Sequence, residues 1–302
     1  MIRKQKEKWS GVFVPVVTPF NDNGKINNEG FKNNLEYLLK IGVDGVIISG
    51  SCGESYVLTM EEKKHLFKLA VNLLGSHDIK IVAGTGTIKT EDVVKLNQCA
   101  SELEMDGTMI LPPYYALPSE KEIIAHYETI SKSIDIPIML YNNPGRTKIN
   151  LTPDMVDKLA SLDNVIAIKD SCEDLSQTIE TLKKCKDRIS VFIGRESLAL
   201  PGLIMGADGY ISMFALILGK EAVDLITFFE NAQMNKAKAI QERICTLWQI
   251  VFKDTRTPYP NIKEAINLSG RSAGICRKPL LPLENDKKRE LKETLQNWGF
   301  IK

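Results

Sequence analysis

The sequence is poor in the residues that hold metals. Its three histidines, His65, His77 and His126, stand far apart, and its six cysteines, at 52, 99, 172, 185, 245 and 276, form no C-x-x-C pair. That excludes zinc-type ligand spacing, and it supplies no disulfide framework for a chain of 302 residues. Unpaired thiols fit a reducing cytoplasm. An excess of one charge is also missing. The formal net charge is +1, which gives no support for a nucleic-acid or membrane-surface partner, since both need a concentrated basic face. The one basic cluster, Arg3, Lys4, Lys6 and Lys8, is interrupted by Glu7 and reads as a solvated N-terminal tail. Long apolar runs are absent too. Residues 12–17 are apolar but broken by Pro15 and closed by Thr18-Pro19, far too short to span a bilayer. No apolar segment of signal-peptide type follows the charged start, so a secretory leader is not expected.

What is present is an alternation. Hydrophobic residues make up 43% and charged residues 25%, an ordinary balance for a packed globular core. Eight short apolar or β-branched runs bounded by turn residues predict strands at 11–17, 45–49, 79–83, 107–111, 136–141, 165–169, 190–193 and 209–212. Their near-continuous hydrophobicity suits parallel strands buried on both faces. Amphipathic stretches between them predict helices at 27–41, 59–74, 90–103, 119–133, 152–162, 175–185 and 196–205. Thr59 with Glu62 has the capping-box spacing, and Thr152-Pro153 places a cap before a first-turn proline. Asp44-Gly45, Asp106-Gly107 and Asp208-Gly209 each introduce an apolar run, a faint internal echo. The strand pattern stops near residue 212. Helical patterns follow at 221–231, 234–251, 261–269 and 286–296, with a loop at 256–260. The fold class is therefore α/β: a (β/α)8 TIM barrel over residues 1–232 with a C-terminal helical extension over 233–302. A dinucleotide-binding fold is disfavoured, because no G-x-G-x-x-G follows the first strand and Gly84-Thr85-Gly86 after the third is half of it.

Barrel active sites collect at the C-terminal ends of the strands. Lys169 ends the apolar run Val165-Ile166-Ala167-Ile168 and projects into the expected mouth. Desolvation there disfavours the ammonium, and a neutral amine attacks a ketone to form an imine, an electron sink for the adjacent C–C bond. A lysine snorkelling from a strand end into solvent fits the position equally well. Tyr141 lies one βα unit earlier, at the end of the neighbouring strand, where a phenol can relay a proton or simply cap the barrel. Tyr114 and Tyr115 either extend that relay or pack a subunit contact. In Gly50-Ser51-Cys52-Gly53, small residues let backbone N–H groups converge on a carboxylate, or form only a flexible turn. Cys52 is read as lining a pocket rather than as a nucleophile, since no histidine is near it in sequence. Arg146 carries a fork suited to a carboxylate, although surface arginines are frequent.

Together these segments resemble the dihydrodipicolinate synthase / N-acetylneuraminate lyase family of Schiff-base barrels. The likeness runs through Val17-Thr18-Pro19-Phe20, Gly50-Ser51-Cys52-Gly53-Glu54-Ser55, Pro113-Tyr114-Tyr115, Tyr141-Asn142-Asn143-Pro144-Gly145-Arg146-Thr147, Ile168-Lys169-Asp170-Ser171 and Gly206-Ala207-Asp208-Gly209-Tyr210-Ile211-Ser212. The resemblance implies a lyase in which Lys169 forms an imine with pyruvate and Tyr141 is the proton-relay phenol. Ser51 and Cys52 take the two hydroxyl positions of the family's turn. Tyr115 reaches across a dimer interface, Arg146 helps bind the second substrate, and Gly50, Cys52 and Ile211 line the substrate pocket. No cofactor or metal is implied beyond the covalent imine. The expected partners are pyruvate and a small aldehyde, in a homotetramer built as a dimer of dimers. Arg146 points to the synthase branch, with aspartate semialdehyde as acceptor on the way to lysine. Cys52, Arg195-Glu196 and Phe214 depart from that branch. They favour the alternative, a 2-keto-3-deoxy sugar-acid aldolase or N-acetylneuraminate-type lyase running the same imine. A non-catalytic keto-acid-binding barrel is the third reading, and it predicts no covalent adduct.

Overall fold

A computed structural model of the protein describes residues 8–253, 255 and 257–302. Eight parallel strands close into a barrel in sequence order: β1 (Gly11–Pro15), β2 (Gly45–Ile48), β3 (Lys80–Gly84), β4 (Gly107–Ile110), β5 (Ile138–Asn142), β6 (Val165–Asp170), β7 (Ser190–Ile193) and β8 (Gly209–Ile211). Between and after them run α1 (Asn28–Ile41), α2 (Met60–Leu74), α3 (Thr90–Glu102), α4 (Glu120–Ser133), α5 (Pro144–Thr147), α6 (Pro153–Leu159), α7 (Leu175–Cys185), α8 (Ala199–Ile204), α9 (Ala215–Leu218), α10 (Glu221–Glu230), α11 (Met234–Phe252), α12 (Tyr259–Leu268) and α13 (Asn285–Asn297). All eight expected strands are there, several shifted by one or two residues at an end.

The strand period of two sorts the core into layers. Phe13, Ile47, Val82, Met109, Met139, Ala167, Phe192 and Ile211 point into the barrel and pack together, with Trp9 beside Phe13 in the same cluster. The intervening residues, such as Val46, Ile81, Ile168 and Val191, face the helices. The same alternation decides the orientation of the strand ends. Tyr141 follows Met139 by two and Lys169 follows Ala167 by two, so both point inward.

The Asp-Gly echo has a physical cause. Asp44 accepts the Val12 amide at 2.7 Å, Asp106 the Ile81 amide at 2.8 Å and Asp208 the Val191 amide at 2.8 Å. Each aspartate before a strand therefore holds the N-terminal end of the preceding neighbour strand, on the face opposite the mouth.

The helix expectations needed local correction. The stretch 196–205 opens as a 3-10 turn, Glu196–Leu198, and becomes α-helical only from Ala199. Pro201 lacks the amide for a regular ladder and fits only a first turn. The helix expected at 261–269 starts earlier, at Tyr259, with Pro260 in its first turn. The expected loop at 256–260 is shorter accordingly, and its Arg256 lies outside the described residues, as do Arg3, Lys4, Lys6 and Glu7 of the basic tail. The short α5 and α9 were not expected. Each is a single turn held by a local cap, too brief to leave a periodic signal. The capping box of α2 forms as predicted, with Thr59 and Glu62 exchanging bonds of 2.9 and 3.2 Å. Among the described residues no helix is long and apolar enough to cross a membrane.

The C-terminal helices are tied to the turn after β2 by a buried ion pair. Lys263 on α12 pairs with Glu54 and donates to the carbonyls of Thr18 and Ile275, both at 2.7 Å. The Arg277 amide donates to the other Glu54 oxygen at 3.0 Å, while its guanidinium forks onto Glu62. Removing one member of such a pair leaves an uncompensated buried charge. Lys263→Met is expected to lose about 3–5 kcal/mol of stability in urea unfolding, and Lys263→Met with Glu54→Gln to recover most of it. A loss under 1 kcal/mol in the single variant would show that Glu54 finds another partner.

Candidate active site

The strand ends position the site. Tyr141 and Lys169 are direct register partners on β5 and β6, and Lys169 is in turn the partner of Phe192 on β7. Neighbouring parallel strands are about 4.8 Å apart, so two inward-facing side chains at one register must touch. The Lys169 Nζ lies 4.1 Å from the centroid of the Tyr141 ring. Both residues are buried, at 5% and 4% exposure. This is a lysine held inside the barrel mouth; it does not snorkel into solvent. Its stem crosses the end of β7, where a Cβ built on Gly194 would sit 3.0 Å from the Lys169 Cγ and 2.0 Å from the Ser171 Oγ. Only glycine leaves that room.

The Tyr141 hydroxyl accepts a hydrogen bond from Asn143 Nδ2 at 2.8 Å, and the Ser51 hydroxyl approaches the same oxygen. Burial pushes the phenol's pKa up, but the Lys169 charge and the bonds from Asn143 and Ser51 carry it below its ordinary value of 10.0. Asn143 was not singled out from the sequence. It also caps α5 by accepting from the Arg146 amide, so one side chain fixes both the phenol and the arginine's backbone.

The turn after β2 brings Gly50, Ser51 and Cys52 to the same mouth. Its own hydrogen bonds use the amides of Gly53, Glu54 and Ser55 and leave those of Ser51 and Cys52 out. Gly84 on β3 lets this turn approach closely, since a Cβ there would lie 2.4 Å from the Ser49 carbonyl oxygen. Cys52 is buried, and burial pushes its thiol pKa up against the pull of Lys169 and Arg146. A buried thiol kept protonated is a poor nucleophile, which agrees with a pocket-lining role.

Arg146 donates to Thr257 Oγ1 at 3.3 Å and lies over the Tyr259 ring, 5.1 Å from its centroid. Tyr259 stacks on Tyr56. A cavity of about 280 Å³ opens here, lined by Ser51, Tyr56, Tyr114, Arg146, Thr257 and Tyr259 among others. Ser51 thus faces both the cavity and the phenol. Ile211 is buried in the barrel interior, in the same packed cluster as Tyr141. Tyr115 stands apart. It is 91% exposed and holds a left-handed φ of 70°, so within one chain it reaches none of these groups.

Two further features escaped the sequence reading. The Asp170 carboxylate, on the outward face of β6, accepts from Asn142 at 3.0 Å, from the Cys172 amide at 3.1 Å and from Thr178 at 2.9 Å. It fixes the strand end that carries Lys169. Glu196, noted in the sequence only as a departure from the synthase pattern, is fully buried at the end of β7. It accepts from the Ser212 hydroxyl, from the Met213 amide at 2.9 Å and from the Phe214 amide at 3.3 Å. Burial pushes its pKa up to about 8, against those bonds and the Lys169 charge. Its position two residues past Gly194 was the available signal. Among the described residues no group of three His, Cys, Asp or Glu side chains is placed to hold a metal ion.

An amine, a phenol and an arginine gathered at the C-terminal mouth of a closed parallel barrel define a (β/α)8 barrel enzyme of the lyase class. The particular family follows from comparison: residues 8–298 match the dihydrodipicolinate synthetase family, and the chain belongs to it. A relative from Clostridium novyi (strain NT), called 4-hydroxy-tetrahydrodipicolinate synthase, is 36% identical over 96% of this chain and 97% of its own length. Dihydrodipicolinate synthase from Aquifex aeolicus has a crystal structure that superposes with a TM-score of 0.91 at 31% identity, covering 97% of this chain and 99% of that one. The crystal structure of YagE is similar too. It is an E. coli K12 prophage protein of the dihydrodipicolinic acid synthase family, in complex with pyruvate. Its TM-score is 0.92 at 30% identity, covering 97% of this chain and 99% of that one.

Proposed function

We propose that the protein condenses pyruvate with aspartate semialdehyde, the 4-hydroxy-tetrahydrodipicolinate synthase reaction, through an imine on Lys169. The observation that carries this is the register pair on β5 and β6, which sets a buried amine over a phenol inside a barrel of this family. The Lys169 amine attacks the pyruvate C2 carbonyl. Water leaves, and the protonated imine withdraws electrons so that C3 loses a proton and becomes an enamine. The enamine carbon then bonds to the aldehyde carbon, whose oxygen takes up a proton, and the amine of aspartate semialdehyde displaces Lys169 from the imine as the ring closes. Tyr141, tuned by Asn143 and Ser51, moves the protons that carbinolamine formation and dehydration require. The pyruvate carboxylate sits against the Ser51 and Cys52 amides beside Gly50, with Ile211 closing the apolar side. Arg146, at the cavity next to Ser51, binds the carboxylate of the second substrate with its planar fork. No cofactor enters this scheme.

The same reading assigns the barrel to residues 1–232 and a helical extension to 233–302, and a dimer of dimers to the assembly. The exposed Tyr115, strained at positive φ next to the cavity-lining Tyr114, supports a role completed by a neighbouring subunit. Six free thiols support a reducing, cytoplasmic setting.

The test is product formation from pyruvate with a panel of aldehydes. Aspartate semialdehyde is expected to give the cyclic condensation product with kcat/KM at least about 100-fold above that for sugar-derived aldehydes, a discrimination near 3 kcal/mol. Fast cleavage of 2-keto-3-deoxy sugar acids, with no product from aspartate semialdehyde, transfers the assignment to the aldolase reading.

A further inference from the structure

We infer that Asn143 is a positioning residue that aims the Tyr141 proton, so that the phenol acts as a donor directed into the barrel mouth. The inference rests on the imine reading above and names a further residue for it. An asparagine side chain has one end that only accepts and one that only donates. Here the choice of end is forced. Oδ1 accepts from the Arg146 amide at 3.2 Å, which leaves Nδ2 to donate to the Tyr141 hydroxyl oxygen, 2.8 Å away. A phenol oxygen that accepts on one side carries its own proton on another. The Ser51 hydroxyl approaches the same oxygen and also lines the cavity. The proton is therefore left to Ser51, a group that can take it and pass one on, and to the reacting substrate.

The backbone under this bond is pinned. The Asn143 carbonyl accepts from the Arg146 amide, the Thr147 amide and the Thr147 hydroxyl, each at 3.0 Å. Asn142 before it is fully buried, donates to Asn150 and Asp170 and accepts from the Leu151 amide. The Asn143 side chain cannot reverse its ends without losing the bond that caps α5. Neighbouring cations leave the hydroxyl to it. Lys169 meets the face of the Tyr141 ring, and the Arg146 guanidinium is turned to Thr257 and the Tyr259 ring. The charged and titratable groups around the phenol are Lys169 on β6, Cys52 in the turn after β2 and Tyr259 at the start of α12. Burial pushes the Cys52 thiol and the Tyr259 phenol up, so neither is an anion beside it. Replacing Asn143 alters none of the three.

The experiment follows the rate of borohydride-trapped pyruvate adduct at Lys169 across pH, by mass spectrometry, in wild type, Asn143→Asp and Asn143→Leu. Asn143→Asp keeps the shape and the oxygen that caps α5, but its carboxylate cannot donate. It draws the phenol's proton towards itself and opposes a second negative charge beside it. Adduct formation is expected to slow by about 10–100-fold, and the alkaline fall of the rate to move up by about one pH unit. Asn143→Leu removes the donor without adding an anion. The phenolate loses one hydrogen bond, and the fall moves up by a smaller amount. A side chain that only caps α5 gives a different pattern, with Asn143→Asp matching wild type and Asn143→Leu slowed at an unchanged pH profile. An alkaline fall that stays in place in either folded variant, whatever happens to the maximal rate, overturns the inference and leaves the imine reading standing. Either variant decides alone should the other fail to fold. No adduct in wild type at any pH overturns the imine reading and the inference with it.

Discussion

Lys169→Ala is expected to abolish condensation, with kcat/KM falling by about 10⁴-fold or more, and to erase the borohydride-trapped pyruvate adduct. The size follows from what is removed. The imine is the electron sink for the whole reaction, and among the described residues no other lysine stands at a strand end facing the mouth. Lys263 is committed to Glu54 and to two backbone carbonyls, and its pKa is lowered chiefly by burial among those partners. The variant keeps the fold, because the side chain is lost at the mouth end of the barrel, beyond the inward-facing Met139 and Ala167 of the packed interior. The check is a pair of intact masses after reduction with pyruvate, one shifted by the adduct in wild type and one unshifted in Lys169→Ala. An adduct of undiminished yield in the variant removes the imine from Lys169, and with it the mechanism proposed here.

The architecture was legible because a (β/α)8 barrel writes its strands as short apolar runs at nearly regular spacing, each buried on both faces. Val165-Ile166-Ala167-Ile168 is such a run, and the period of two that places Ala167 inward also places Lys169 inward. Tyr141 was legible for the same reason on the neighbouring strand. Register, unlike periodicity, is a tertiary property. Nothing local says that Tyr141 and Lys169 meet at one level of the barrel, and the pairing emerges only when β5 and β6 are laid side by side. Glu196 was harder still. A glutamate just past a strand end looks like a solvated loop residue, and its burial is decided by Ser212 and the turn after β8, distant in sequence. Lys263 illustrates the same limit, since its partners Thr18, Glu54 and Ile275 come from three separated segments. The role of Tyr115 lies one step further out, because within a single chain its ring is exposed to solvent.

Tyr141→Phe is expected to lower kcat by about 10²–10³-fold and to flatten the alkaline limb of the rate profile. Phenylalanine keeps the ring, so the face under the Lys169 Nζ survives and the lysine stays where it is. What disappears is the hydroxyl that accepts from Asn143 and that Ser51 approaches. The separation is useful, because imine formation still occurs on the slow path while the proton relay is gone. Trapped adduct should therefore accumulate to the wild-type level, more slowly, whereas in Lys169→Ala it never appears. The pH dependence gives the sign. In the native site burial raises the phenol's pKa, but the lysine charge and two hydrogen bonds outweigh burial and bring it below 10.0. The relay phenol is therefore lost to ionisation as pH rises through a value below that of an ordinary tyrosine, and the native rate falls there. Phenylalanine cannot ionise, so the variant's smaller rate holds level through that range. A variant that retains the native alkaline fall, or that keeps kcat within threefold of wild type, would assign the proton relay to another group, with Ser51 the next to test.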